Sequence, residues 1–357
     1  MKKFLSIGLF LGLMAAASMA VASGPDGMVD KNRAFQDAAL AAQKYEAEQM
    51  MATSAGSAAP PKKMFIISPQ YHYSQHGTLS TGTLAPFDLK SGGGHANTGS
   101  IAFIFNREVS EMLSMTLAYQ YAYTDYSGGV LIPKASYDAG ARGETEQEIN
   151  THIIAVMGDI NLKNYGRLNL SLVQGFDSVS GHEQIVDPAG DVVDKRSLDT
   201  YAQRVTALMA WYENDVNLNE SWTLTPYIGW RSLYAHLSNQ NALGTDEFGK
   251  NNAHAWIHLG GLGAKLNYSS GPLTVTLRGG VNHRFTKDDL PGWANRAIAP
   301  GVVQLGYNVN FDQTVATFGA GLTYASSESC IFSLNYDGFA GSQTDAHQVS
   351  LMAIFPF

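Results

Sequence analysis

Apolar and polar residues alternate along the chain from Met64 to its last residue. Met115, Leu117, Tyr119, Tyr121 and Tyr123 alternate with Thr116, Ala118, Gln120, Ala122 and Thr124. Leu273, Val275, Leu277 and Val281 alternate with Thr274, Thr276, Arg278 and Asn282. Period-two segments of about ten residues predict strands with one apolar and one polar face. Twelve are predicted: Met64–Ser74, Thr98–Arg107, Leu113–Tyr126, Thr145–Asn161, Gly166–Asp177, Leu198–Asp215, Trp222–Leu237, Ala253–Tyr268, Leu273–Phe285, Thr314–Tyr324, Cys330–Phe339 and His347–Phe357. Their connections alternate between short and long. The predicted long ones are Gln75–Asn97, Ser127–Glu144, Ser178–Ser197, Ser238–Asn252 and Thr286–Gln313. A membrane barrel with short periplasmic turns and long extracellular loops has this rhythm, and its even strand number returns both chain ends to the periplasmic side. A soluble barrel would have to fill a twelve-strand lumen with the side chains of one face. Tyr119, Tyr121, Tyr123, Trp211, Trp222, Trp230, Tyr234, Tyr324, Tyr336 and Phe357 are read on the apolar faces as interfacial girdles.

The first 63 residues have a different pattern. Lys2 and Lys3, the apolar run Phe4–Met14 and Ala20-Val21-Ala22 make residues 1–22 a signal peptide. Val29–Met51 lacks Gly and Pro, is rich in Ala, Gln, Glu and Lys, and reads as a helix. Residues 53–63 are a Ser/Ala/Pro linker. The expected domains are therefore leader (1–22), helix and linker (23–63) and barrel (64–357).

Composition supports the two-faced reading. Charged residues make up 15% of the 357, against about 25% in an average soluble protein. Mean hydropathy is nevertheless only −0.11. Loss of the leader takes Lys2 and Lys3 and moves the net charge from −8 to −10, which argues against nucleic-acid binding. Cys330, the single cysteine, excludes an intramolecular disulfide and a cysteine-based zinc site.

A resemblance is carried by the last third. Phe318-Gly319-Ala320-Gly321-Leu322-Thr323-Tyr324 is followed by a tight turn, then Phe332-Ser333-Leu334-Asn335-Tyr336-Asp337-Gly338, then a terminal strand ending in Phe355 and Phe357. This order resembles the C-terminal end of the autotransporter β-domain family. The resemblance implies an all-β, twelve-stranded antiparallel transmembrane barrel in the outer membrane of a Gram-negative bacterium. It further implies export through the periplasm, outer-membrane lipid as surroundings, and Phe357 and Phe355 as the signal read by the barrel-assembly machinery. Family members carry large passengers, whereas about 40 residues precede this barrel. The family also implies that a helix before the first strand can occupy the lumen.

The inferred lumen charges are Arg204, Arg231, Arg278, Arg284 and His152, with Asp125 and Glu148 nearer a strand end. Asp37, Glu46 and Glu48 are the acids of the candidate plug helix. No catalytic, metal or cofactor site is expected. His236 with Ser238, and His182 with Glu183, lie in no motif that would pair a nucleophile with a base. His254 and His258 are too few ligands for a closed metal site. The expected function is a pore or vestigial secretion channel of unknown cargo; the alternative is a structural or adhesive surface protein acting through its loops.

Overall fold

The computed structural model describes residues 63–76, 94–130, 142–238, 253–285, 314–327, 330–342 and 344–357. The leader, the helix and the linker up to residue 62 lie outside the described residues. So do most of the predicted long loops.

The described residues form thirteen strands: β1 (Lys63–His76), β2 (Gly94–Ser110), β3 (Leu113–Val130), β4 (Arg142–Asn161), β5 (Arg167–Val186), β6 (Val192–Glu213), β7 (Val216–Asn217), β8 (Trp222–Ser238), β9 (Ala253–Ser270), β10 (Leu273–Arg284), β11 (Thr314–Ser327), β12 (Cys330–Ala340) and β13 (Thr344–Pro356). β7 is a two-residue ribbon inside the β6–β8 turn. The other twelve pair with their sequence neighbours, and β1 pairs antiparallel with β13. The sheet therefore closes as a twelve-stranded antiparallel barrel with no free edge. Its closing seam brings the ends together: Met64 pairs with Pro356, and the Phe357 N–H donates to Lys63 O at 3.1 Å.

Burial follows the two faces. Inward residues of β3 such as Thr116, Ala118, Gln120 and Thr124 are buried, whereas Leu117 stands 55% exposed. Leu262 is 62% exposed and Leu334 50%. Apolar side chains point outward and polar ones inward, the reverse of a soluble barrel. Among the described residues no helix is long and apolar enough to cross a membrane; the strands do the crossing.

All five connections at one end are short. β2 and β3 are joined by Glu111 and Met112, and β9 and β10 by Gly271 (φ +58°) and Pro272. A single 3-10 turn, Lys163–Tyr165, joins β4 to β5 and closes on Gly166 at φ +91°. One predicted long loop is replaced by strand. β5 and β6 run past the predicted ends and meet at Asp187–Asp191, so most of 178–197 is a hairpin. The local chemistry explains the tight return. Asp187 Oδ1 accepts from the N–H groups of Ala189 and Asp191, and Gly190 takes the positive φ the turn needs.

Candidate functional site: the barrel lumen

The register sorts every candidate by face. Arg231, Arg278 and Arg284 point inward from β8 and β10. His152 and Arg204 do not. His152 pairs with Phe176, which pairs with Arg204, and all three lie on the exposed outer face. Asp125 and Glu148, partners across β3 and β4, are also outward. Both faces of β4 carry apolar residues, Ile153 and Met157 inside, Ile154 and Val156 outside. Alternation therefore carries no face label there, and the same ambiguity holds around Arg204 in β6. Trp211 is corrected in the opposite sense. It faces the lumen, stacked on Tyr227 at 4.9 Å, with the Arg231 guanidinium 5.2 Å from its ring centroid.

The lumen has two unlike walls. On β1–β5 it is hydrogen-bonded and carries the buried acids Asp159 and Asp177. Gln120 Nε2 donates to Ser100 Oγ (2.9 Å) and Gln70 Oε1 (3.2 Å), and Ser100 in turn donates to Gln70 (3.0 Å). Thr98 and Thr124 share a hydroxyl hydrogen bond of 2.9 Å, and Thr151 donates to Asp177.

On β8–β12 the wall is cationic and rich in inward glycines. Arg278, Gly319 and Asp337 occupy one register row on β10, β11 and β12. Gly319 has no side chain, so Arg278 crosses it to ion-pair with Asp337. A Cβ at Gly319 would lie 2.5 Å from both partners. Tyr227 uses the same device, its hydroxyl lying where Cβ atoms on Gly263 and Gly280 would be. Towards the short-turn end Glu213, 1% exposed, accepts from Arg167 Nε on one oxygen and from Lys265 Nζ on the other, each at 3.0 Å. Arg167 also pairs with Asp215 at 2.8 Å. Lys265 and Glu213 were missed by sequence reading, although Lys265 falls on the polar beat of its strand.

The outer-face histidines make local contacts. His182 pairs with Glu146 at 3.4 Å, and His258 bonds Ser232 and stacks on Trp230. The side chains of His236, Ser238, Glu183 and His254 lie outside the described residues. Among the described residues, no three metal-type ligands converge.

This architecture is that of an outer-membrane translocator barrel. The autotransporter β-domain model matches residues 87–337, and the chain belongs to that family. No curated relative matches the sequence. The fold is similar to the translocator domain of the autotransporter NalP from Neisseria meningitidis, with a TM-score of 0.59 and 11% identity, covering 90% of this chain and 98% of that one. It is also similar to the transport unit of the autotransporter AIDA-I from Escherichia coli, with a TM-score of 0.51 and 10% identity over 88% and 98% of the two chains.

Proposed function

We propose that the protein is an outer-membrane pore of the translocator type, without catalytic activity, whose lumen receives its own N-terminal helix. The supporting observation is the inward face. It gathers Arg231, Lys265, Arg278 and Arg284 on three adjacent strands. Asp37, Glu46 and Glu48 are acids of complementary sign within the 23–63 segment that precedes β1. They do not share one helix face, so some of them pair at a time. The test is single-channel conductance in planar bilayers for the full chain and for a variant lacking residues 34–51. The variant is expected to conduct several-fold more. Equal conductance would overturn the plug, and no conductance from either would overturn the pore.

The surface-protein reading has one structural feature in its favour. The β5–β6 hairpin carries ordered strand beyond the predicted spanning segments, to Asp187–Asp191. Exchanging residues 180–195 for a Gly/Ser turn and measuring attachment of whole cells tests it. Unchanged attachment removes the reading. Phe355 and Phe357 are proposed to be read by the barrel-assembly machinery, since both rings stand exposed at the β13 end.

A further inference from the structure

Four inward residues of β10, β12 and β13 leave polar atoms unused on one patch of the lumen wall. Arg278 crosses Gly319 to Asp337. Asn335 repeats the device two residues nearer the short turns, with its Oδ1 2.6 Å from where a Cβ on Gly321 would lie. Its Nδ2 donates to Ser333 Oγ at 3.1 Å. Gln348 on β13 is the register partner of Asp337. Among the described residues, Arg278 Nη1, Asp337 Oδ2, Asn335 Oδ1 and both amide atoms of Gln348 have no hydrogen-bond partner. Arg278 is 8% exposed and the other three 1%. Buried polar atoms are nearly always paired, because an unpaired one forfeits its hydration for nothing. Beside the patch, the Tyr227 hydroxyl lies over Gly280, the next inward position of β10 after Arg278, and the Tyr227 ring is stacked on Trp211.

The unused atoms define what would satisfy them. Arg278 and Gln348 offer N–H groups, and Asp337, Asn335 and Gln348 offer acceptor oxygens. The charges of Arg278 and Asp337 cancel in their ion pair, so a charged ligand would lose its water without gaining a counter-charge. A neutral ligand with donors and acceptors side by side fits, and a hydroxyl is both at one atom. We infer that this patch is a subsite for neutral sugars in the lumen. Vicinal hydroxyls bridge the Arg278–Asp337 pair and the amides of Gln348 and Asn335, and the C–H face of the sugar ring turns to Tyr227 and Trp211. A helical peptide supplies fewer such groups, because its backbone donors and acceptors are paired internally. The inference rests on the pore reading, in which a solute reaches the patch when residues 34–51 leave the lumen.

The test is titration calorimetry with maltotriose on the full chain and on the variant lacking residues 34–51, in a detergent without a sugar headgroup. Heat-modifiable migration first confirms each folded barrel; if the deletion variant does not fold, the full chain alone decides. Saturable binding is expected, several-fold tighter in the deletion variant. Trigalacturonate and triglucosamine, the anionic and cationic counterparts, are expected to bind about tenfold more weakly. Gln348→Leu is expected to weaken maltotriose binding about tenfold while keeping or raising the urea midpoint, since it removes only unpaired polar atoms. A glutamine with a merely structural role would lower the midpoint and leave the affinity alone. Arg278→Met with Asp337→Leu, the second variant, is expected to abolish binding. Equal affinity in the full chain and the deletion variant would support the subsite and overturn the plug instead. No saturable binding to the folded chains, trigalacturonate bound as tightly as maltotriose, or unchanged affinity in the folded variants overturns the inference.

Discussion

Glu213 holds two cations at once in a position 1% exposed. Removing its charge leaves Lys265, 5% exposed, and Arg167 facing each other without their shared acceptor. Breaking one member of a buried ion network costs about 3–5 kcal/mol, because a charge is left uncompensated. Glu213→Gln is therefore expected to lower the urea midpoint of the detergent-folded barrel. Arg278→Met with Asp337→Leu removes both members of the other pair and is expected to cost far less than either change alone, as a double-mutant cycle would measure. The inward place of Lys265, on the polar beat of β9, is legible in the sequence, whereas the inward positions before Glu213 are Ala207, Met209 and Trp211 and give no such beat. Their meeting is not legible, because it joins β6 to β9 across the intervening β8, and only the register of both neighbours specifies it.

At the scale of the element, alternation located all twelve spanning strands, and the structure mainly lengthens them. It labelled faces reliably only where one face is apolar and the other polar, as in β3 and β10. In β4 and β6 both faces carry apolar residues, so His152, Arg204 and Trp211 had no local signal for their side. The β5–β6 hairpin was hidden for a different reason. Asp187-Pro188-Ala189-Gly190-Asp191 reads as loop chemistry, and a hairpin turn is built from the same residues. Asp187→Ala removes the acceptor of two backbone N–H groups in an exposed turn. A net hydrogen bond contributes about 0.5–1.5 kcal/mol, so the hairpin is expected to fray while the barrel keeps its unfolding midpoint. Hydrogen exchange measures this directly: amides of 180–195 should exchange faster, and those of β3 and β4 should not change.

The whole molecule is organised by one inversion, polar inside and apolar outside, and a single substitution type reads it at different depths. Leu262 stands midway along β9, outward and 62% exposed, and Leu218 stands 56% exposed in the short β6–β8 turn. In water the two are similar surface leucines, and arginine at either would be nearly neutral. In a membrane barrel an outward arginine costs about 2–4 kcal/mol at the midplane and about 0–1 near the interface. Leu262→Arg is therefore expected to destabilise the bilayer-folded protein by that larger amount, and Leu218→Arg by little. Chemical unfolding from phospholipid vesicles supplies both values. Similar costs at the two sites would mean that lipid does not surround β9. A depth-dependent difference would instead tie the low charge content and near-zero mean hydropathy of the sequence to their physical origin, a chain that divides its residues between hydrocarbon and water strand by strand.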